Sequence, residues 1–581
     1  MGIRSMETFL RKVVPNGFFK INFEDEIRKY YDADPKAPAP IIVIDLMAMR
    51  QAMCQVDVDG QICGGRLKVA YNLMDEFFTR LKSCGAILEF ICDGPLPLLK
   101  YGRWCDRQKD SYQSMLELYD RIDRGCFTPD LIMEDIFVFH WCYPLKQLAR
   151  KHGRLIISYE MECDQQLAAY ATNANALAIL SNDTDYMIFA GQWHLWSSRD
   201  INFQTMSTLE YNRRALQETL QLSYPQMALL ASLAGNHTIA YSEVQHFHAK
   251  LGKLKDKFHN LAHFIRQHPD NWHRVDELRK LLTRVFGRAA VNRDLIARFQ
   301  HSLNTYKTNY RSCNLDLSKD NILTILQERG CIFQCTAWLG KSYEVSISQI
   351  DLRADHFGTR FPPMIVSILA RQAGIILYHK RNQRQITDFS QFKLLIKPSH
   401  DADFSLHQHR AVFPNSIEPP SLVDLLSKEP GKRKHLQDIK LRIYSWIVSD
   451  TLSNLRLKSI PQNILVTAVT LYCLVENHLL KHFEADLLLQ VAYDVINDKY
   501  DYRVAQLPLQ LNGRAYRITF LYLYMYNELQ NAFKGLGLNE EDLNDYPPFD
   551  GMLFQNRFQD SSQQESNLDE IRDWRIYDGL V

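Results

Sequence analysis

Residues 176–189 read ALAILSNDTDYMIF, and this stretch decides the fold. It opens on an apolar run, and two acids, Asp183 and Asp185, follow almost at once. A short apolar run of this kind is typical of a parallel strand that is buried on both faces. Functional groups in α/β folds gather beyond the carboxyl ends of such strands. The stretch therefore predicts a strand over residues 176–180 with two carboxylates at its carboxyl end.

Two earlier segments repeat the pattern. Residues 41–44 (IIVI) run directly into Asp45, and residues 87–92 (ILEFIC) run into Asp93 and then Gly94. Between them, residues 66–81 place apolar side chains at helical spacing on one face. Strands that alternate with amphipathic helices predict an α/β fold with a doubly wound parallel sheet and helices on both faces.

The remainder of the chain predicts further domains, because 581 residues exceed what one hydrophobic core usually serves. We assign residues 1–240 to the α/β domain, residues 241–400 to a helical extension and mixed α/β region, and residues 420–555 to a helical C-terminal domain. Residues 400–420 are rich in polar residues and proline, which favours a linker or exposed loop. Residues 556–581 form a polar, flexible tail in this interpretation.

Composition narrows the classes of function. Hydrophobic residues make up 46% and charged residues 23%, which excludes wholesale disorder. A net charge of +1 means that a local basic patch must hold any nucleic acid. The longest apolar stretch, residues 464–475, is shorter than the ~20 residues of a spanning helix, so no membrane span is predicted. We expect an intracellular protein, and the basic run at Lys432 favours the nucleus over the cytoplasm.

Six acids should meet near one edge of the predicted sheet. They follow the three strands or open the helical run ECDQQLAAY, and they are Asp45, Asp93, Glu162, Asp164, Asp183 and Asp185. Clustered carboxylates repel one another and destabilise a fold unless a cation neutralises them. Oxygen ligands without cysteine favour Mg²⁺ or Mn²⁺, and one or two such ions can activate water and stabilise the leaving oxygen of a phosphodiester. The alternative interpretation is that these acids have a structural role only, because an acid at the end of a strand often caps a helix or forms a turn.

Several motifs resemble the flap-endonuclease/XPG superfamily, in the order that family uses. They are MGIRSMETFL at the start, VIDLMA, CDG, YEMECDQQLA, LSNDTDYMIF and LASLAGN, and the SNDTDYMIF form is similar to the Asteroid branch. The resemblance covers about residues 1–239 and implies a PIN-like fold that carries seven acidic metal ligands.

Carried over residue by residue, the resemblance assigns six of the seven ligands to the acids named above. Glu160 offers a competing register for the Glu162 pair, but QLA follows at the distance that Glu162 requires. The seventh acid falls on His237, in the turn Gly235-Asn236-His237, and a neutral imidazole there would hold a second ion weakly. The family's phosphate-facing Lys and Arg fall on Lys100 and Arg107, where they would stabilise developing charge.

Two features of the DNA-cleaving members are missing. Residues 238–255 hold only Gly252 and no glycine hairpin to grip duplex phosphates, and residues 110–152 are mixed in charge. We therefore keep two hypotheses: a metal-dependent structure-specific nuclease acting on single-stranded or branched DNA or on RNA, and a catalytically weak or inactive PIN-like scaffold that binds RNA or proteins in signalling or gene regulation. Protein partners would use the C-terminal helical region.

Overall fold

The structure is a computed structural model, and it describes residues 2–126, 141–159, 162–253, 256–268, 272, 274–287, 289–307, 321–379, 390–427, 430–499, 506–540 and 543–562. Glu160, residues 127–140 of the segment with mixed charge, and residues 563–581 of the predicted tail lie outside these ranges. So do the side chains of the basic run at Lys432.

A seven-stranded sheet forms the centre of the amino-terminal half. Its strands are β1 (Phe18–Asn22), β2 (Ile41–Asp45), β3 (Ile87–Asp93), β4 (Arg154–Ser158), β5 (Ala178–Ser181), β6 (His194–Ser197) and β7 (Ser207–Tyr211). They lie in the order β1-β7-β6-β5-β2-β3-β4. The chain thus winds outward from β2 in one direction through β3 and β4, and in the other through β5 and β6. This confirms the predicted doubly wound α/β sheet and puts its topological switch point between β2 and β5.

The sheet is mixed at one edge. Strands β6, β5, β2, β3 and β4 pair in parallel, and the three predicted strands correspond to β2, β3 and β5. β7 pairs antiparallel with β6 and with β1. The physical reason is the short connection between β6 and β7, which occupies residues 198–206. A parallel crossover needs a dozen or more residues, so β7 returns as an antiparallel neighbour.

Helices surround this sheet. Those before residue 221 are α1 (Met6–Lys12), α2 (Phe23–Ala33), α3 (Met49–Val56), α4 (Val58–Ile62), α5 (Leu67–Ser83), α6 (Tyr101–Asp123), α7 (Cys142–His152), α8 (Cys163–Asn173) and α9 (Arg213–Leu220). A helical group follows, composed of α10 (Tyr224–Ala234), α11 (Tyr241–Leu251), α12 (Lys257–Arg266), α13 (Val275–Phe286) and α14 (Arg293–Thr305). Short 3₁₀ turns at Leu98–Lys100 and Thr184–Met187 flank the carboxyl edge of the sheet.

The carboxyl-terminal half is mostly helical, as predicted. Its helices are α15 (Asn321–Glu328), α16 (Ile332–Trp338), α17 (Phe361–Leu377), α18 (Leu422–Leu425), α19 (Pro430–Val448), α20 (Asn454–Leu457), α21 (Gln462–Glu476), α22 (His482–Ile496), α23 (Gly513–Gly535) and α24 (Gly551–Ser562). A second sheet has the order β10-β9-β8, with β8 (Ser342–Glu344), β9 (Gln391–Ile396) and β10 (Ser405–Arg410). β10 lies inside residues 400–420, which the sequence predicts as a linker or exposed loop. It is the edge strand of this sheet, and most of its side chains are exposed.

The two faces of the large sheet contact different cores, because successive strand residues point to opposite faces. Ile42 and Ile44 belong to a core that continues into the C-terminal helices as far as Phe558. Val43, between them, belongs to a core built largely from α8 and α10–α14. The carboxyl edge of the sheet is therefore held between two packed layers.

The predicted domain boundaries stay predictions.

None of the helices in the described ranges combines the length and the apolar character needed to cross a membrane.

Candidate metal centre

The carboxyl ends of β2 and β5 lie side by side at the switch point of the sheet. Ile44 pairs with Leu180, so Asp45 and Ser181 follow at the same level. The Ser181 hydroxyl donates a 2.8 Å hydrogen bond to Asp45, and the backbone amide of Ala48 donates another at 3.2 Å. Burial raises the pKa of Asp45 to about 6, although the Ser181 hydrogen bond opposes the shift and the charge of Asp93 adds to it. Such a carboxylate is stabilised in its charged form by a nearby cation.

Three carboxylates form a cluster of the size that a metal ion needs. Asp164, Asp183 and Asp185 offer ligand oxygens that all lie within 4.8 Å of one another. Local structure explains their placing: Asp164 lies in the first turn of α8, and Asp183 caps the 3₁₀ turn after β5 by accepting a 2.9 Å hydrogen bond from the amide of Asp185. Burial, followed by the charge of Asp183, raises the pKa of Asp164 well above its usual value. We call these three residues the aspartate cluster.

Glu162 contacts the nitrogen atoms of two other side chains. Its Oε2 atom lies 2.9 Å from Nε2 of His237 and 3.2 Å from Nζ of Lys100. Burial by itself would raise the pKa of Glu162, but contact with His237 and the charge of Lys100 outweigh it and lower the pKa to about 2. The structure thus gives Glu162 two partners that the sequence does not reveal.

His237, on which the resemblance places the seventh ligand, lies between two acids. Its Nε2 faces Glu162, and its Nδ1 lies 3.4 Å from Oδ2 of Asp185. Burial lowers the pKa of His237, but the two carboxylates raise it more, to about 10. The imidazole therefore lies between two acids, at a position where the resemblance implies a weak metal ligand.

The turn that carries His237 is fixed from both sides. Gly235 has a φ of 91°, a conformation that side chains rarely adopt. The side-chain oxygen of Asn236 accepts hydrogen bonds from the amides of Thr238 and Ile239, and its nitrogen donates to Ser302 at 2.8 Å. The imidazole is thus held in place by α14.

Both predicted phosphate-facing residues lie at or near the start of α6. Lys100 ends the 3₁₀ turn before α6, and Arg107 lies one to two turns into α6. The charges of Glu162 and Asp164 outweigh burial and raise the pKa of Lys100, whereas burial lowers that of Arg107 despite the nearby charge of Asp93. Asp93 itself ends β3 and is exposed. Lys100 therefore contacts an acid, and Arg107 flanks the exposed rim.

Several residues at the site are missed by sequence reasoning. The hydroxyl of Tyr306 donates a 2.7 Å hydrogen bond to Asp185, and Nε2 of His301 lies 4.0 Å from Glu162. Glu344 of β8 accepts a 2.6 Å hydrogen bond from the amide of Leu96, in the loop after Asp93, and burial raises its pKa to about 7. No spacing in the sequence marks these residues, because they reach the site from α14 and the second sheet.

The start of the chain also touches the site, which explains why the motif MGIR accompanies the acids. The amide of Ile3 donates a 2.6 Å hydrogen bond to the Thr184 hydroxyl. A side chain at Gly2 would place its first carbon 2.4 Å from Oδ1 of Asp183. Only glycine permits this close approach.

These contacts define an α/β protein with an acidic centre at the switch point of its sheet. Residues 220–310 match the FAM120A-like domain family. The matched segment contains α10–α14 and therefore includes His237, His301 and Tyr306.

Curated relatives include the constitutive coactivator of peroxisome proliferator-activated receptor gamma from Bos taurus and from Homo sapiens. Each is 25% identical over 254 residues, which is 43% of this chain and 35% and 27% of the two relatives, respectively. The chain thus spans about a third of the length of these relatives.

Solved structures that resemble the chain include three nucleases. The catalytic core of Rad2 with DNA substrate is 16% identical, with a TM-score of 0.28, over 52% of this chain and 84% of that one. Human GEN1 with Holliday junction DNA is 14% identical, with a TM-score of 0.33, over 58% and 80%. Flap endonuclease-1 from Methanococcus jannaschii is 16% identical, with a TM-score of 0.26, over 52% and 98%.

Proposed function

We propose that the chain is a divalent-metal-dependent nuclease that hydrolyses phosphodiester bonds in DNA or RNA. The observation that carries the proposal is the aspartate cluster, whose ligand oxygens lie within 4.8 Å of one another at the switch point of the sheet. The sequence motifs that resemble the flap-endonuclease/XPG superfamily, and its Asteroid branch through SNDTDYMIF, support the same assignment.

The residues present fit Mg²⁺ or Mn²⁺. The donors of the cluster are carboxylate oxygens, which hard divalent ions prefer, and none is a thiolate. Like charges in a buried place are unfavourable without a cation. Burial raises the pKa of Asp45 and of Asp164, and the charges of Asp93 and Asp183, respectively, add to these shifts, so a cation at this site would stabilise the charged forms.

The acids and the two basic residues of the site would have different roles in the proposed reaction. The aspartate cluster would hold the ion, with Asp45, Asp93 and Glu162 on the same rim. A bound divalent ion supplies Lewis acidity and lowers the pKa of coordinated water. Arg107, at the rim beside Asp93, would orient the scissile phosphate and stabilise charge that develops on it, and Lys100 would do so from beside Glu162.

A second candidate function has its own observation. His237 replaces an acid and bridges Glu162 and Asp185, which favours a PIN-like scaffold with weak or no activity. Relatives named as coactivators would agree with a role in gene regulation through protein or RNA partners. Nuclear localisation and protein binding through the C-terminal helices belong to this proposal.

One assay separates the two candidates. We expect the purified chain with Mn²⁺ to cleave at least one of a panel of labelled single-stranded, flapped and duplex DNA and RNA oligonucleotides. EDTA should abolish cleavage, and added Mn²⁺ should restore it, because the carboxylates cannot activate water without the ion. Cleavage that persists in EDTA would contradict the proposed metal dependence. Binding of the oligonucleotides without any cleavage would favour the scaffold.

A further inference from the structure

Glu162 already has cationic or basic nitrogens on both sides. Nε2 of His237 and Nζ of Lys100 lie 2.9 and 3.2 Å from the same oxygen, Oε2, and Nε2 of His301 lies 4.0 Å from Oε1. The Glu162 side chain is only 10% exposed. Both nitrogens lie close enough to this oxygen to occupy the space that an approaching ion would need. A metal ion could bind this oxygen only by displacing one of the nitrogens.

Moving His237 away from Glu162 would cost free energy, because His237 has a second contact and its turn is fixed. Besides Glu162 it contacts Asp185, and the preceding Asn236 is anchored to Ser302 at 2.8 Å and to the Tyr306 hydroxyl at 3.2 Å. The backbone that carries the imidazole is therefore fixed to α14, so His237 would leave Glu162 by rotating its side chain and giving up its contact with Asp185.

The aspartate cluster adjoins this nitrogen-filled side through Asp185, whose Oδ2 lies 3.4 Å from Nδ1 of His237. Within the described parts of the chain, Asp164, Asp183 and Asp185 are the group of acids whose ligand atoms approach closely enough for an ion, and Glu162 is not in it. Two ions ~3.5–4 Å apart need acids on both flanks of the pair. The aspartate cluster supplies acids for one ion, whereas the groups in contact with Glu162 are the nitrogens of His237 and Lys100.

We infer that the site binds a single divalent ion, held by the aspartate cluster, and that His237 and Lys100 fill the place a second ion would take beside Glu162. The inference rests on the proposed function, since it concerns the ion of that same site. It assigns Glu162 a positioning role: its carboxylate holds Lys100 and His237 and does not bind the metal.

Counting bound Mn²⁺ tests the inference without any activity assay. Titration calorimetry of the full chain with Mn²⁺, together with the electron paramagnetic resonance signal of free Mn²⁺, should give one ion per chain. Glu162→Gln should still bind one ion, with a Kd within about threefold of the original. Asp164→Asn should weaken binding by about tenfold or more, because even the outer partners of metal ligands contribute about 10–100-fold. Loss of the ion in Glu162→Gln would overturn the inference.

His237→Asp should raise the count to two, because it restores an acid to the nitrogen-filled side. His263→Asp, the same change at a histidine on α12 that contacts Gln267, is the matched control and should leave the count at one. A count of two in the unchanged chain, or of one in folded His237→Asp, would overturn the inference and leave the proposed nuclease standing. A count of zero in the unchanged chain would instead overturn the proposed function. Circular dichroism establishes that each variant is folded, and if His237→Asp is not, Glu162→Gln decides.

Discussion

Replacing Asp183 by Asn should lower Mn²⁺-dependent cleavage by at least about 100-fold, since even the outer partners of metal ligands contribute about 10–100-fold. Asp183 shares the aspartate cluster with Asp164 and Asp185, and an amide carries no charge with which to hold the ion. The new side chain in Asp183→Asn would keep an oxygen, so it could still accept the hydrogen bond that the amide of Asp185 donates at 2.9 Å. The loss should therefore concern the ion and leave the turn intact.

In the absence of metal, Asp183→Asn should not lower the stability of the fold. Burial and the charge of Asp185 raise the pKa of Asp183, which shows that its charged form is disfavoured in the absence of metal. We expect the metal-free variant to unfold at the same or a higher temperature than the original chain. Added Mn²⁺ should raise the melting temperature of the original chain and leave that of the variant unchanged, because only binding to the folded state stabilises it.

Asp276→Asn provides a matched control, since Asp276 is an exposed residue in the first turn of α13. It should keep both cleavage and the response to Mn²⁺. Unchanged cleavage by Asp183→Asn, purified in the same way, would contradict the assignment and indicate a different active site or a contaminating nuclease.

Replacing Arg517 by Ala should produce the largest loss of stability, about 3 kcal/mol or more in the free energy of unfolding. Arg517 is 2% exposed and donates hydrogen bonds to Asp351 at 2.8 Å and to Asp123 at 2.6 and 3.0 Å. These bonds join α23 to α6 and to the segment after β8. Truncation would leave Asp351, which is fully buried, with only part of its compensation from Arg353.

Urea denaturation followed by circular dichroism measures this loss. The control is Arg214→Ala, because Arg214 and its partner Glu218 are both exposed, and it should leave the urea midpoint unchanged. An Arg517→Ala variant that unfolds at the same urea concentration as the original chain would show that the buried network does not hold the two halves together.

The same network predicts how stability depends on pH. Burial would raise the pKa of Asp351, but hydrogen bonds from Arg353 and Arg517 outweigh it and lower the pKa to about 2, from an ordinary value of 3.8. Because the folded-state pKa is the lower one, the stabilisation is fully present above pH 3.8 and is lost as the pH falls toward about 2. In Asp351→Asn, the free energy of unfolding should lose this dependence on pH between about pH 2 and pH 3.8.

Much of the fold could be predicted because its signals are local. The apolar runs that become β2, β3 and β5 end in acids, and the helical spacing between the first two marks α5. The antiparallel β7 and the edge strand β10 could not be predicted in the same way. Their pairing depends on the length of a connection and on the position at the edge of a sheet, and neither leaves an apolar run in the sequence.

By itself, the sequence determined that acids meet at one edge of an α/β sheet, because the carboxyl ends of parallel strands are neighbours whatever the rest of the chain does. Only the tertiary structure decided what each acid contacts. Glu162 pairs with Lys100 and His237, and Asp185 with Tyr306, through elements that are distant along the chain. The reason is physical: strand direction follows from local pattern, whereas the partner of a buried charge depends on which helix packs against it.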